Sequence, residues 1–335
     1  MKKLLCILLC LLLLAPAAPA EEVSLPYRLL CGRVLVAFPT LPGVSYLADT
    51  QETNESHVWF VSAEEGGTSM VEAADVTPLL AQAQSVMAGE SPSSVALSVM
   101  LYYAEGYFYP QRITDYTVAS DGPEDAPIVT LRFTVETNGA LCRGLAVLEG
   151  ELLVLGLFPE DALGNAMLDA VQVLSAVKAE QMRETLSSST RVEAGGAALS
   201  FPCAPVGREK EYDEGSILRS VTWDALLPTG EIFRFQQIDT NQSFHPLTKS
   251  IASSQMQELA LSFLSPYRLR NLRGVTCDTP QKGVYRLRFA ADMNYGDPFA
   301  AELCLILTAE GTAWLAWATA GEAGEAFVDS LELTR

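Results

Sequence analysis

The stretch Leu141–Val177, LCRGLAVLEGELLVLGLFPEDALGNAMLDAVQVLSAV, decides how this chain folds. Two apolar runs flank the pair Glu149-Gly150, and an amphipathic run follows. A Gly-containing break between two apolar runs predicts a β-hairpin. Leu163, Met167, Val171 and Leu174 then recur at helical spacing, so a helix from about Glu160 should pack back on the sheet. The same plan returns at Leu303–Leu333, LCLILTAEGTAWLAWATAGEAGEAFVDSLEL, with Glu310-Gly311 at the turn.

Working outward, the rest of the chain repeats as well. Phe38-Pro39 is echoed by Phe201-Pro202, Trp59 by Trp223, Asp75 by Asp239, and Thr77-Pro78 by His245-Pro246. Leu131-Arg132-Phe133 is echoed by Leu287-Arg288-Phe289. The offset between partners stays between 156 and 168 residues and drops across the first helix. That drop places an insertion in the first repeat, around Gly89–Pro92. The chain divides into a leader (1–20), a first unit (21–177), a linker (178–196) and a second unit (197–335).

Within the first unit, strands are expected at Arg33–Phe38, His57–Ala63, Thr68–Ala74, Arg112–Ala119 and Ile128–Glu136. Asn138-Gly139 is a hairpin signal before the opening stretch. Thr77-Pro78 reads as a helix start, Thr as the N-cap and Pro at the first position. The helical pattern runs to about Glu105 and restarts at Ser91-Pro92. The last hairpin is apolar on both faces, as central strands covered on both sides are. The fold class is therefore α+β: two tandem units, each an antiparallel sheet flanked by helices as an α-β-α sandwich.

This order of elements, with Phe38-Pro39, Phe201-Pro202, Asn138-Gly139 and the two Glu-Gly turns, resembles the PsbP-like family. The resemblance covers both repeats, about 30–177 and 197–334. It implies a fold and carries over no functional residue, because the basic, His-bearing surfaces of the photosynthetic members have no counterpart here.

The leader Met1–Ala20 has Lys2 and Lys3, an apolar run Leu4–Leu14 and a small-residue end at Ala18-Pro19-Ala20. This is the pattern of a cleaved signal peptide, and the run is too short for a stable membrane span. Retention as an anchor is the alternative. The expected address is secreted or extracytoplasmic, with no transmembrane span after signal removal. Lys and Arg total 22 against 41 Asp and Glu, a net charge of −19. That field disfavours nucleic acid and anionic lipid.

Chemistry-bearing motifs are scarce. The two histidines, His57 and His245, lack HxH, HxxxH or HExxH context, so no metal and no cofactor is expected. Cys203 with His245 is a conceivable nucleophilic pair, but no oxyanion or elbow motif surrounds either. The cysteines Cys31, Cys142, Cys203, Cys277 and Cys304 are widely spaced and read as small buried hydrophobes, with one or two disulfides left open. Carboxylate pairs such as Glu124-Asp125 and Glu160-Asp161 read as solvated or helix-starting acids. The most suggestive feature is the aromatic run Tyr102, Tyr103, Tyr107, Phe108, Tyr109. Tyr102, Tyr107 and Tyr109 are the candidate partner-binding residues. Tyr103 and Phe108 suit a core. The expected function is a secreted non-catalytic binding or accessory protein for an extracellular or cell-envelope partner. The alternative is an extracytoplasmic hydrolase with its site in the cleft between the units.

Overall fold

The computed structural model describes residues 23–334 except 49, 64–66, 138–139, 213–214, 228, 244–248 and 296. The signal-peptide reading, the Asn138-Gly139 turn and His245-Pro246 lie outside the described residues.

The first unit opens with β1 (Tyr27–Cys31), β2 (Val34–Phe38), β3 (Gly43–Ala48), β4 (Glu55–Ser62) and β5 (Thr68–Asp75). Helices α1 (Thr77–Val86) and α2 (Pro92–Gly106) follow. Then come β6 (Asp115–Asp121), β7 (Ile128–Thr137), β8 (Ala140–Glu149), β9 (Leu152–Pro159), α3 (Ala162–Ala170) and β10 (Gln172–Val173). Helix α4 (Ala176–Leu186) leads to the second unit. That unit has β11 (Thr190–Ala194), β12 (Ala197–Phe201), β13 (Val206–Glu211), β14 (Ile217–Leu226), β15 (Ile232–Thr240) and α5 (Lys249–Phe263). It closes with β16 (Arg270–Gln281), β17 (Val284–Tyr295), β18 (Asp297–Thr308), β19 (Thr312–Thr319), α6 (Glu322–Asp329) and β20 (Glu332–Leu333).

Topology repeats with the sequence. One seven-stranded sheet runs β3-β4-β5-β9-β8-β7-β6 and the other β13-β14-β15-β19-β18-β17-β16. All neighbours are antiparallel. Each unit adds a three-stranded sheet, β1-β2-β10 or β11-β12-β20. The echoed tryptophans hold matching places: Trp59 pairs with Val71, and Trp223 with Phe235. The opening hairpin is central, since β9 lies between β5 and β8. Its residues alternate into two cores: Leu145, Val147 and Val154 on one side, Ala146, Leu148 and Leu155 on the other.

Helices lie on both faces of the unit-one sheet, and on one of them a small sheet joins the helix. In unit one, α1 and α2 cover one face through Leu79, Val99 and Met100. The small sheet, with Leu29, Val36 and Phe38, covers the other together with Met167 of α3. Strand β1 precedes the first strand expected from the sequence, Arg33–Phe38, and residues 178–196 are more than a linker. They hold most of α4 and all of β11, whose Val192 and Ala194 are buried while Arg191 and Glu193 face out. That alternation is the period of a half-buried strand. The start of α1 also differs. Val76, not Thr77, is the N-cap, and Asp75 before it accepts from the Thr77 N–H at 2.9 Å and its hydroxyl at 2.6 Å. The Thr77 hydroxyl, then the Asn54 amide, hold the Asp75 carboxyl below its usual range.

The core under the small sheet of unit one is continuous with the core under α5 of unit two. At the seam lies a buried polar network. Asp224, on β14, is fully buried and ion-pairs with Arg234 of β15. It also ion-pairs with Arg208 Nη2 at 3.2 Å and accepts from the Tyr27 hydroxyl of unit one at 3.1 Å. Arg234 donates to the Tyr267 hydroxyl and lies 5.4 Å from the Trp317 ring centroid. Buried charges occur where they are paired and hydrogen-bonded on most sides, as here.

Candidate functional site

Tyr102 and Tyr103 lie near the end of α2, and Tyr107–Tyr109 follow it. The helix restarts at Ser91, whose hydroxyl accepts from the Ser94 N–H at 3.2 Å, with Pro92 at the first position. Tyr102, Tyr107 and Tyr109 are 55%, 45% and 86% exposed. Phe108 is buried, edge-on to Phe133 at 6.3 Å, and Tyr103 is half-buried. The run thus splits into an inward anchor and an outward ridge.

The ridge is fixed by carboxylates that the sequence did not single out. Glu72 of β5 is 1% exposed. It accepts from Tyr103 Oη at 2.8 Å and Tyr107 Oη at 2.5 Å, and from the buried Ser56 hydroxyl. Tyr102 Oη donates to Glu52 at 3.3 Å. Burial, then the Glu72 charge, pushes the Tyr103 and Tyr107 phenols well up, so both remain donors at neutral pH. Glu105 accepts from the Ile113 N–H at 3.1 Å and pairs with Arg112, holding the segment beyond the helix. The equivalent strand position in unit two is Gln236, bonded to Thr222 at 3.0 Å. Such an arrangement presents preordered aromatic rings.

The cleft between the units is a separate site. A cavity of about 550 Å³ lies between β3 and β4 of unit one and the β14–β15 turn, the start of β18 and the end of β19 of unit two. Val44, Ile232 and Phe299 line it with Glu55, His57 and Glu231. His57 stacks on Trp59 at 5.9 Å. Burial lowers the His57 pKa from 6.5, opposed by Glu55 and Glu231. The Cys203 thiol is pushed up to about 12 by burial, with the Glu231 charge acting the same way. It donates to the Leu226 carbonyl at 3.9 Å, and a thiol so held is a poor nucleophile. Its conceivable partner, His245, lies outside the described residues.

Other groups resolve into structural roles. Asp161 caps α3, accepting from the Gly164 N–H at 2.7 Å, and Glu160 pairs with Arg143. Glu124 and Asp125 are exposed. The carboxylate pairs Glu64-Glu65 and Asp213-Glu214 lie outside the described residues. The five cysteines from Cys31 to Cys304 are free thiols. Among the described residues, no group of three or more His, Cys, Asp or Glu could hold a metal ion. Among them too, no helix is long and apolar enough to cross a membrane.

Fold and sites define a two-unit α+β protein with an aromatic ridge on one unit and a cavity at the seam. No protein-family model and no curated protein matches the chain. Among solved structures, the immunity protein TplEi of the T6SS from Pseudomonas aeruginosa, in complex with an "L" peptide, aligns at 9% identity with a TM-score of 0.19. The alignment covers 93% of this chain and 99% of that one, and an overlap so loose carries no argument.

Proposed function

We propose that the chain is a secreted, non-catalytic binding or accessory protein built of two PsbP-like units, and that it meets its partner through the tyrosine ridge of unit one. The supporting observation is that Tyr102, Tyr107 and Tyr109 are exposed while two of their hydroxyls are tied down by Glu52 and Glu72. Rings ordered in advance lose little entropy on association, and tyrosine offers a large amphipathic contact. The corresponding tyrosine of unit two, Tyr267, is instead buried against Trp317 at 5.3 Å. A duplicated fold whose copies differ at one exposed aromatic segment has specialised one copy for contact.

The test is retention of envelope or extracellular components by the immobilised chain, compared with a Tyr107→Ala, Tyr109→Ala variant of unchanged circular dichroism. Selective loss of a retained component supports the ridge. Equal retention by both chains removes the ridge as the contact surface.

A further inference from the structure

We propose that the cavity at the seam between the units is a binding site for a small organic cation with an apolar body, such as a primary amine on an aromatic or alkyl group. Three observations on different elements carry this. The first is size and place. About 550 Å³ lies within the range of small-molecule sites, and such sites favour the junction of two folded units. The second is the mixture of surfaces. Val44 of β3, Ile232 of β15 and Phe299 of β18 form apolar walls, and Glu55 of β4 and Glu231 of the β14–β15 turn bring carboxylates from opposite units. Among the described residues no Lys or Arg lines the cavity, so the charged groups described there are carboxylates. The third is that the turn is built to fit. Gly230 has φ +91°, and a Cβ there would come within 3.1 Å of the His57 ring and 3.4 Å of Val44. Unit two therefore closes on unit one through a residue without a side chain. The turn is latched by the Leu227 N–H to the Glu231 carbonyl at 3.0 Å and by a Thr229 hydroxyl donated to the Glu231 carboxylate.

The chemistry selects the ligand class. A cationic head placed between Glu55 and Glu231 gains charge-assisted hydrogen bonds. The Phe299 ring and the aliphatic walls cover its body, and an aromatic face also attracts a cation. The net charge of −19 concentrates cations near the chain and repels anions. An anion in this cavity would meet two carboxylates and, among the described residues, no fixed positive charge.

The test uses the untagged full chain and the Cε1–H resonance of His57. The chain has only two histidines, so a His245→Asn variant assigns the signal. Phenethylammonium is titrated to about 10 mM, beside 3-phenylpropionate of the same shape and opposite charge. A saturable shift with the amine and none with the acid is expected. Glu55→Gln with Glu231→Gln should weaken amine binding about tenfold or more, the loss of charge-assisted contacts. Glu55 is exposed, so Glu55→Gln alone supplies the result should the double variant be unstable. The proposal is overturned by no saturable response to the amine, by an equal response to the acid, or by unchanged amine affinity in the Gln variants. Because the ridge is on another face of unit one, Tyr107→Ala, Tyr109→Ala should leave this titration as in the wild type.

Discussion

Asp224→Asn probes the seam between the units. Asp224 is fully buried, takes hydrogen bonds from Arg234, including one from Nη2 at 3.0 Å, and from Tyr27 at 3.1 Å, and ion-pairs with Arg208 at 3.2 Å. Arg234 is itself buried, between Asp224 and the rings of Tyr267 and Trp317. Asparagine keeps the size and removes the charge, so the guanidinium of Arg234 stays buried without its counter-ion. Breaking one side of such a pair costs about 3–5 kcal/mol. Against a typical unfolding free energy of about 5–15 kcal/mol, that is a large fraction. Tyr27→Phe removes one donor from a carboxylate that keeps the others, and should cost about 1 kcal/mol. Urea unfolding followed by far-ultraviolet circular dichroism measures both. A double-mutant cycle should give a coupling of about 1 kcal/mol between these residues of different units. Replacing the pair by Asp224→Leu with Arg234→Met should recover most of the loss, since desolvation and attraction nearly offset in a buried pair. A cost below about 1 kcal/mol for Asp224→Asn would refute the reasoning, as would a hydrophobic double variant less stable than the Asn variant.

Burial depresses the pKa of His57 below 6.5. As pH falls below that value, the unfolded chain takes the proton first, so native stability is lost across the window between 6.5 and the lower folded value; His57→Gln should remove this slope in unfolding curves measured from pH 7.5 downward. Burial pushes the thiols of Cys31, Cys203 and Cys304 up to about 12. Iodoacetamide at pH 8 should therefore leave these three unmodified in the folded chain and modify them in urea, read by peptide mass spectrometry. Glu72→Gln leaves three hydroxyl donors facing an amide in place of a carboxylate and should cost about 2 kcal/mol of stability. A change under about 0.5 kcal/mol would show that Glu72 does not hold α2 on the sheet.

The duplication was readable because its markers are local. Trp59 and Trp223, Asp75 and Asp239, and the glycines at the hairpin ends each serve a strand or turn whose signal spans a few residues. Gly150 has φ +60° and Gly311 φ +102°, and a Cβ on Gly311 would lie 2.2 Å from the Gln242 carbonyl, so glycine at these turns is a backbone requirement. The three-stranded sheets were not readable. β10 and β20 are two residues long, and no periodicity can be seen in two residues. For the ridge, five aromatics within eight residues drew notice, and the structure separates Phe108 inward from Tyr109 outward. Its anchor, Glu72, sits in the strand Thr68–Asp75, where a lone Glu reads as a solvent-facing residue. Only α2, packed over that strand, makes the position interior. The cavity at the seam gathers residues from Val44 to Thr319, and no local pattern can announce groups that meet only after two units dock.

The two copies have diverged on the same face of the same pair of strands. In unit one, β5 carries Glu72 beneath α2, and its acceptor oxygens are taken by tyrosines of that helix and by Ser56. In unit two, Asp224 of β14 and Arg234 of β15 take the buried polar role, and their partner outside the unit is Tyr27 of unit one. Each copy buries a carboxylate, which costs free energy unless donors surround it. The donors differ in origin: in unit one they come from the unit's own helix and strand, and in unit two partly from the other unit. The first carboxylate orders the exposed tyrosines, and the second ties the units together and so shapes the cavity between them. Loss of Glu72 should therefore change the ridge and leave phenethylammonium binding intact, whereas loss of Asp224 should disturb the seam and leave the ridge intact. The reverse pattern in the retention assay and the phenethylammonium titration would show that the two buried carboxylates do not divide the roles in this way.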